Sequence, residues 1–247
     1  MSDSPEEIRK AVRQHYAQHA VASSSCCGDS CCDNTLYSPE LLSDLPADVS
    51  SFSLGCGDPV TLAGLAPGST VLDLGSGGGL DCFLAAKQVG PSGHVIGVDM
   101  TPEMLERARA AAEKMGITNV EFRYGFLEDL PVEADSVDVI LSNCVINLAP
   151  DKAPVFREAL RVLKPGGQFS VSDIITRGEL SDEIKKDLSA WSACVSGAIP
   201  EGEYIQKLSE AGFTDIQVQA AGEFTEALPF VPAGVPFSAL IKARKPS

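Results

Sequence analysis

The chain of 247 residues carries 34 acidic and 19 basic side chains, which give a formal net charge of −15 and an isoelectric point near 4.5. This charge opposes attraction to phosphate backbones, and no run of Lys or Arg is present, so the composition argues against nucleic acid as a partner. No apolar stretch approaches membrane-spanning length, and the start MSDSPEEIRK lacks the basic-then-apolar order of a signal peptide. We therefore expect a cytoplasmic, monomeric protein without a membrane partner. Its eight cysteines are expected to be thiols with chemistry or metal affinity rather than a disulfide framework.

The first segment, residues 1–69, is predicted to hold short helices, a cysteine-rich loop and a lead-in to the core. A Ser-Pro-x-Glu start predicts an amphipathic helix from Ser4 that carries Tyr16 on its apolar face. The stretch ASSSCCGDSCCDNT that follows is too polar to pack, and it contains half of the cysteines, namely Cys26, Cys27, Cys31 and Cys32. A second Ser-Pro helix start precedes the turn LGCGDP, which sets Cys56 between two glycines.

Strands and helices then alternate. Apolar runs predict strands over residues 70–74, 94–99, 119–124, 137–143 and 168–175, with helices over 80–89, 102–116 and 152–163. A helix around 182–195, another over 201–211 and two closing strands are expected in the tail. This rhythm predicts an α/β fold with a doubly wound sheet of seven strands. The core would span residues 70–178, and residues 179–247 would form a C-terminal part.

The chain is organised around VLDLGSGGGLDCFLAA at residues 71–86, where an apolar strand runs into a glycine turn and then an apolar helix. Glycines permit close approach of the backbone, and the N–H groups at the helix start point to the same place, which suits a nucleotide-like ligand. A dinucleotide fingerprint requires Gly or Ala where Leu80 stands, and Asp73 would repel a pyrophosphate. Asp99 ends the next strand, where an acid can accept from both ribose hydroxyls. These features favour S-adenosylmethionine over NAD.

With these motifs the chain resembles the class I S-adenosylmethionine-dependent methyltransferases, and more narrowly the arsenite methyltransferases. The broad resemblance rests on VLDLGSGGG, GVDMTPEML and RVLKPGG. The narrow one rests on GCG at 55–57, LGSGGGLDCF, SNCVINLAPDK at 142–152 and Cys-x-x-Gly-Ala at 194–198. It implies methyl transfer to trivalent arsenic, as arsenite and methylarsenite, held by cysteine thiolates, in arsenic detoxification. It also implies a thiol reductant, glutathione or thioredoxin-like, as co-substrate.

The resemblance further implies roles for individual residues. Cys56 and Cys194 match the metalloid-binding cysteines and are the catalytic candidates. The residues expected to bind the cofactor are Asp73, Gly75, Ser76, Gly77, Asp99, Met100, Leu127, Glu128 and Asn143. Cys144 belongs to a family motif and is expected to line the cofactor pocket, whereas Cys82 is expected to serve in packing. Tyr16 matches an N-terminal tyrosine of the family, for which a lid and core packing are equally open.

The residues offer no strong general base, because the three histidines, His15, His19 and His94, are interpreted as solvated or structural. Arsenic(III) needs none, because its lone pair attacks a sulfonium methyl directly once the two are in line. It does need soft ligands, and thiolates are the soft ligands that proteins possess. The cysteines at 26–32 could capture the metalloid, form a disulfide with Cys56 during turnover, or bind adventitious metal, and the resemblance favours the first two.

Two other functions stay open. A quinone-type carbon or oxygen methyltransferase shares LDLGSG and LKPGG but would not need Cys56 or Cys194. A non-enzymatic thiol protein would bind a soft metal without forming product. Many arsenite methyltransferases carry a third arsenic-binding cysteine before the last strand, where this chain has Gly234 in PAGVPFSAL. We therefore expect the third ligand of arsenite to come from a small thiol or from the cysteine-rich loop.

Overall fold

The computed structural model describes residues 4–21, 37–43, 45–50, 55–185, 187, 190–191, 194–220 and 234–247. Within these ranges the chain forms a seven-stranded sheet in the order β3-β2-β1-β4-β5-β7-β6. The strands are β1 Thr70–Leu74, β2 His94–Asp99, β3 Val120–Tyr124, β4 Val137–Asn143, β5 Leu163–Arg177, β6 Thr214–Ala220 and β7 Val235–Arg244. Strand β7 runs antiparallel to both β5 and β6, and the other pairs are parallel. The predicted fold class is confirmed.

The helices are α1 Pro5–Val21, α2 Pro39–Leu42, α3 Ala47–Ser50, α4 Pro59–Ala63, α5 Leu80–Val89, α6 Pro102–Met115, α7 Lys152–Val162, α8 Asp182–Lys185 and α9 Glu201–Ala211. A short 3-10 helix, Ile146–Leu148, follows β4. Of the helix expected around 182–195, the described residues contain α8 and a turn that begins at Cys194. Within the described ranges, none of the helices combines the length and the apolar character that crossing a bilayer requires.

The core lies on both faces of the sheet, because its central strands are apolar on both sides. Helices α4, α5 and α6 pack on one face, where Phe83 meets Phe122 edge to face. Helices α7 and α9 pack on the other, where Phe156 contacts Tyr204. The parallel strands therefore carry their carboxyl ends to one edge of the sheet, which is where ligands bind in folds of this kind.

Helix α1 covers that edge. Its buried side chains Ile8 and Val12 form a third apolar cluster with Cys144, Leu148 and Cys194. The helix begins as its sequence predicts, because Ser4 and Glu7 hydrogen bond reciprocally in a capping box, at 2.7 and 3.3 Å. Helix α1 and the segments that carry Cys144 and Cys194 thus meet at the carboxyl ends of the strands.

Candidate functional site

The glycine turn after β1 has the geometry that its sequence predicts. The backbone N–H groups of Gly75 and Ser76 both donate to the carbonyl of Val98, at 2.8 and 3.0 Å, which folds the turn against β2. Gly75 has a φ of 73°, and a Cβ there would lie 2.3 Å from a methyl group of Val145. Both facts require glycine at position 75. On its other side, the turn borders an open space.

That space is an open cavity of about 1000 Å³. Its wall comes from the glycine turn, the ends of β2 and β4, the segment after β3, and α1. The sequence-predicted cofactor residues that line it are Gly75, Ser76, Gly77, Asp99, Met100, Leu127, Glu128 and Asn143. Tyr16 also lines the cavity, together with Arg9 and Val12 of the same helix. Helix α1 thus forms part of the wall.

Asp99 is held rigidly at the end of β2. Its carboxylate accepts from the backbone N–H of Gly77 at 2.9 Å and from that of Thr101 at 2.8 Å. Burial raises the pKa of Asp99, and these two backbone hydrogen bonds oppose the rise because they stabilise the carboxylate. The side chain faces the cavity from the expected position.

Asp73 is not among the residues that line the cavity, and its expected contact with the cofactor stays a prediction. Its side chain is buried beneath the turn, where it accepts from the Cys82 thiol at 3.3 Å, and burial raises its pKa well above the usual range. The alternation of β1 turns its side chain away from the cavity. Cys82 is buried in the core, as predicted.

Asp81 is the acid that faces the cavity, and the sequence analysis missed it. It lies in the first turn of α5, accepts from the Tyr37 hydroxyl at 2.7 Å, and has a pKa that burial raises to about 6. An acid in the first turn of a helix that begins at a ligand-binding glycine turn was the signal that could have identified it.

One polar atom of the glycine turn has no hydrogen-bond partner in the described part of the chain. The hydroxyl of Ser76 is buried and makes no hydrogen bond there. The carboxylate of Glu128, by contrast, has a partner in the chain, because it accepts a hydrogen bond from the guanidinium of Arg9 at 2.8 Å. This ion pair links α1 to the segment after β3.

Two of the cysteines, which were expected to be thiols, are joined to each other. Cys56 forms a disulfide with Cys144, with the two Cα atoms 5.8 Å apart, and Cys144 is absent from the wall of the cavity. The expectation that Cys144 lines the cofactor pocket is therefore wrong. The reason is backbone geometry, since Cys144 has a φ of 59°, which redirects its side chain just beyond the end of β4.

Cys194 remains a thiol and lies beside this pair. Its sulfur donates to the carbonyl oxygen of Cys144 at 2.7 Å, and both residues belong to the apolar cluster under α1. Cys56, Cys144 and Cys194 thus meet at one place, although they are widely separated in sequence. The expectation that a third ligand comes from a small thiol or from the cysteine-rich loop did not consider Cys144, whose sulfur lies at this place.

Asn143 connects the cysteines to the cavity. Its side-chain oxygen accepts from the N–H of Cys56 at 2.8 Å, and its nitrogen donates to the carbonyl of Gly57 and to the hydroxyl of Tyr37, both at 2.8 Å. The same nitrogen lies 3.2 Å from a carboxylate oxygen of Asp81. Asn143 therefore ties the turn that carries Cys56 to the buried acid of the cavity.

Two predictions concerning further thiols have different outcomes. Cys26, Cys27, Cys31 and Cys32 lie outside the described residues, so their role stays a prediction. Gly234 has a φ of 83° and donates its N–H to the carbonyl of Arg177, and a Cβ there would lie 2.6 Å from the carbonyl oxygen of Glu179. A cysteine at position 234 would therefore strain the backbone.

No group of three or more His, Cys, Asp or Glu side chains is arranged to hold a metal ion in the ranges that the structure describes. With Cys56 and Cys144 joined, only Cys194 of the three cysteines presents a thiol. The three sulfurs can act together as ligands only after the disulfide is reduced.

Comparisons with known proteins agree with this geometry. Residues 65–216 match the family model of a methyltransferase domain. The chain is 42% identical to an arsenite methyltransferase of Halobacterium salinarum, over 98% of this chain and 68% of that protein. It is 41% identical to an arsenite methyltransferase of Aquipseudomonas alcaligenes, over 84% of this chain and 62% of that protein. The chain therefore spans about two thirds of the length of these curated relatives.

A solved structure is similar as well. The crystal structure of an arsenic(III) S-adenosylmethionine methyltransferase from Chlamydomonas reinhardtii matches with a TM-score of 0.70 and 36% identity, covering 84% of this chain and 72% of that one. On these similarities, the chain belongs to the arsenite methyltransferase family.

Proposed function

We propose that this chain methylates trivalent arsenic with S-adenosylmethionine as methyl donor, and that the thiolates of Cys56, Cys144 and Cys194 hold the substrate. The observation that carries the proposal is the convergence of these three cysteines next to the cavity. Gly55 and Asn143, the neighbours of Cys56 and Cys144, both line the cavity wall. A metalloid on the sulfurs would therefore lie beside a molecule bound in the cavity.

The cavity suits S-adenosylmethionine. The buried carboxyls of Asp81 and Asp99 face it, and a cation nearby would offset the cost of burying their charge. S-adenosylmethionine carries an ammonium and a sulfonium, and when bound it supplies an electrophilic methyl group. Ser76 offers a buried hydroxyl whose hydrogen-bond partner among the described residues is missing.

The residues around the cavity and the cysteines exclude water. Val12 and Tyr16 of α1, Val145 and Leu148 line the cavity with apolar surface. Exclusion of water keeps a reactive methyl group from hydrolysis and holds the substrate in a fixed position.

Thiolates match the substrate because arsenic(III) is a soft centre. Arsenite carries three hydroxyls, and condensation with three thiols forms three arsenic–sulfur bonds and releases three molecules of water. The disulfide between Cys56 and Cys144 must first take up two electrons and two protons. Two molecules of glutathione, or one thioredoxin-like dithiol, supply them and become a disulfide themselves.

The same pair can serve after methylation. Methyl transfer to arsenic changes it from trivalent to pentavalent, so a trivalent product requires two electrons. The thiolates of Cys56 and Cys144 supply these electrons by forming their disulfide, and the external thiol then restores them. A thiol reductant is accordingly a co-substrate in this proposal. The cytoplasm, which keeps thiols reduced, is the location that we predict.

The test is product formation by the full chain. The protein is incubated with S-adenosylmethionine, arsenite and glutathione, and the arsenic species are separated and identified by mass. We expect methylated arsenicals from the natural chain and none from arsenite with Cys144→Ser, which should still bind the cofactor in calorimetry. Cys82→Ala is the matched control, because Cys82 lies in the core, and it should keep arsenic binding.

The alternatives give different results. Binding of arsenite without any methylated product would indicate a non-enzymatic thiol protein. Neither arsenite binding nor a methylated arsenical from the natural chain would favour the quinone-type class. Unchanged arsenic methylation in serine variants of Cys56, Cys144 and Cys194 would overturn the proposed thiolate ligands.

A further inference from the structure

The turn that carries Cys194 has an unusual backbone. Cys194 lies in the left-handed region with a φ of 61°, which residues other than glycine rarely occupy. At Gly197 in the same turn, a Cβ would lie 1.9 Å from the carbonyl oxygen of Asn147. A strained backbone conformation of this kind persists only where contacts with the surrounding structure hold it in place.

Two buried side chains of the motif SNCVINLAPDK bind this turn. The amide of Asn147 donates to the carbonyl oxygen of Cys194 at 3.3 Å and also to that of Ile174 on β5. The ammonium of Lys152, the first residue of α7, donates to the carbonyl oxygen of Gly197 at 2.7 Å. The two hydrogen bonds thus reach both ends of the turn.

Burial of both side chains costs free energy, because each carries a polar or charged group. The side-chain oxygen of Asn147 has no hydrogen-bond partner among the described residues, and Lys152 is only 4% exposed. Asp173 and Glu203 give Lys152 some opposite charge, but an unpaired amide oxygen and a buried ammonium both lose hydration. An apolar residue of similar size would fill either position without that loss. We therefore interpret their polar groups as present for the hydrogen bonds that they donate to the turn.

We propose that Asn147 and Lys152 are positioning residues that hold Cys194 where its sulfur completes the three-thiolate site. This inference rests on the proposed function, since it takes Cys194 as a ligand. It assigns a task to the second half of the motif, whose first half contains Cys144. Neither side chain lines the cavity, so cofactor binding does not depend on them.

The experiment uses two arsenicals that need different numbers of sulfurs. Arsenite forms three arsenic–sulfur bonds, whereas phenylarsenoxide forms two, for which Cys56 and Cys144 suffice. Binding is followed by the ultraviolet absorption of the arsenic–thiolate bonds in a phosphine reductant, which supplies no competing sulfur. The variants are Lys152→Met and Asn147→Leu, each alone and combined with Cys194→Ser. Lys164→Met is the matched control, because Lys164 pairs with Asp138 away from the cysteines.

We expect Lys152→Met and Asn147→Leu to weaken arsenite binding about tenfold and phenylarsenoxide binding less than about threefold. In the Cys194→Ser background the same changes should alter arsenite binding less than about twofold, because the sulfur that they position is gone. Replacement of a buried charge by an apolar residue of similar volume is often neutral for stability, so Lys152→Met is expected to remain folded.

Arsenite binding equal to that of the natural chain in both single variants would overturn the inference, as would equal loss of both arsenicals. Additive losses with Cys194→Ser would overturn it too. If Cys194→Ser itself bound arsenite normally, the proposed ligand set would fail, and this inference with it. A loss in Cys194→Ser beside intact Lys152→Met and Asn147→Leu would overturn the inference alone.

Discussion

Replacement of Asn143 by alanine is expected to disable the cysteine site and to lower stability. It removes hydrogen bonds at 2.8 Å to the N–H of Cys56, the carbonyl of Gly57 and the hydroxyl of Tyr37. A net contribution of about 1 kcal/mol for each gives a loss of roughly 3 kcal/mol in the free energy of unfolding. Two of the three bonds hold the turn of Cys56, so about 2 kcal/mol, or roughly thirtyfold, should appear in arsenite affinity.

Urea unfolding measures the first quantity and arsenite titration under a phosphine reductant measures the second. Asn119→Ala is the matched control, because Asn119 donates to the carbonyls of Ala86 and Gly90, at 3.3 and 3.0 Å, far from the cysteines. It should lower stability by about 2 kcal/mol and leave arsenite affinity unchanged. If Asn143→Ala bound arsenite as tightly as Asn119→Ala does, Asn143 would not hold the turn.

A second substitution, Asn143→Asp, tests whether this side chain lies close to the carboxyl of Asp81. Asn143→Asp keeps an acceptor for the N–H of Cys56 but places a carboxyl oxygen where the nitrogen now lies 3.2 Å from Asp81. Two buried carboxylates at that distance repel each other. In the natural chain the pKa of Asp81 is about 6, and the Asn143 hydrogen bond lowers it. The variant loses that bond, so its Asp81 pKa should lie higher, and we expect the defect to grow as pH rises above about 6. A defect independent of pH would refute the proximity on which the reasoning depends.

Two further predictions concern the acids of the cavity. Asp99→Ala should weaken S-adenosylmethionine by about tenfold or more, because the charged acceptor at the end of β2 is lost, and unchanged affinity in calorimetry would contradict its assignment. The folded chain keeps the proton of Asp81 up to about pH 6, because burial raises its pKa, whereas the unfolded chain loses it near the ordinary pKa of 3.8. Stability contributed by this group is therefore present at low pH and lost as pH rises between those values. Asp81→Asn should flatten this part of the urea-unfolding profile, and a slope equal to that of the natural chain would show that another group causes it.

Periodicity and turn chemistry were sufficient for most of the fold. The strand at 94–99 and the helix at 80–89 lie where apolar runs and flanking glycines predict them. Such signals are local, so one stretch of sequence contains all the information that they require. The same holds for the glycine turn and for Asp99, whose positions follow from the end of a strand.

The arrangement of the cysteines could not be derived in this way. Cys144 was assigned to the cavity because β4 leads there, but its left-handed backbone directs the sulfur to Cys56, 88 residues earlier. Asp81 was missed because its part in the site depends on contacts with Tyr37 and Asn143, which lie 44 and 62 residues away in the chain. Contacts between distant segments decide both cases, and no spacing in the sequence encodes them.

Helix α1 covers both the cofactor cavity and the cysteine cluster. It lines the cofactor cavity with Val12 and Tyr16, and it packs on Cys144 and Cys194 with the same apolar face. Arg9 fastens it to Glu128 on the far side of the cavity. One rigid helix cannot uncover the cavity while it keeps the cysteines covered. On the proposed function, we therefore expect exchange of spent cofactor and departure of the arsenical to be linked.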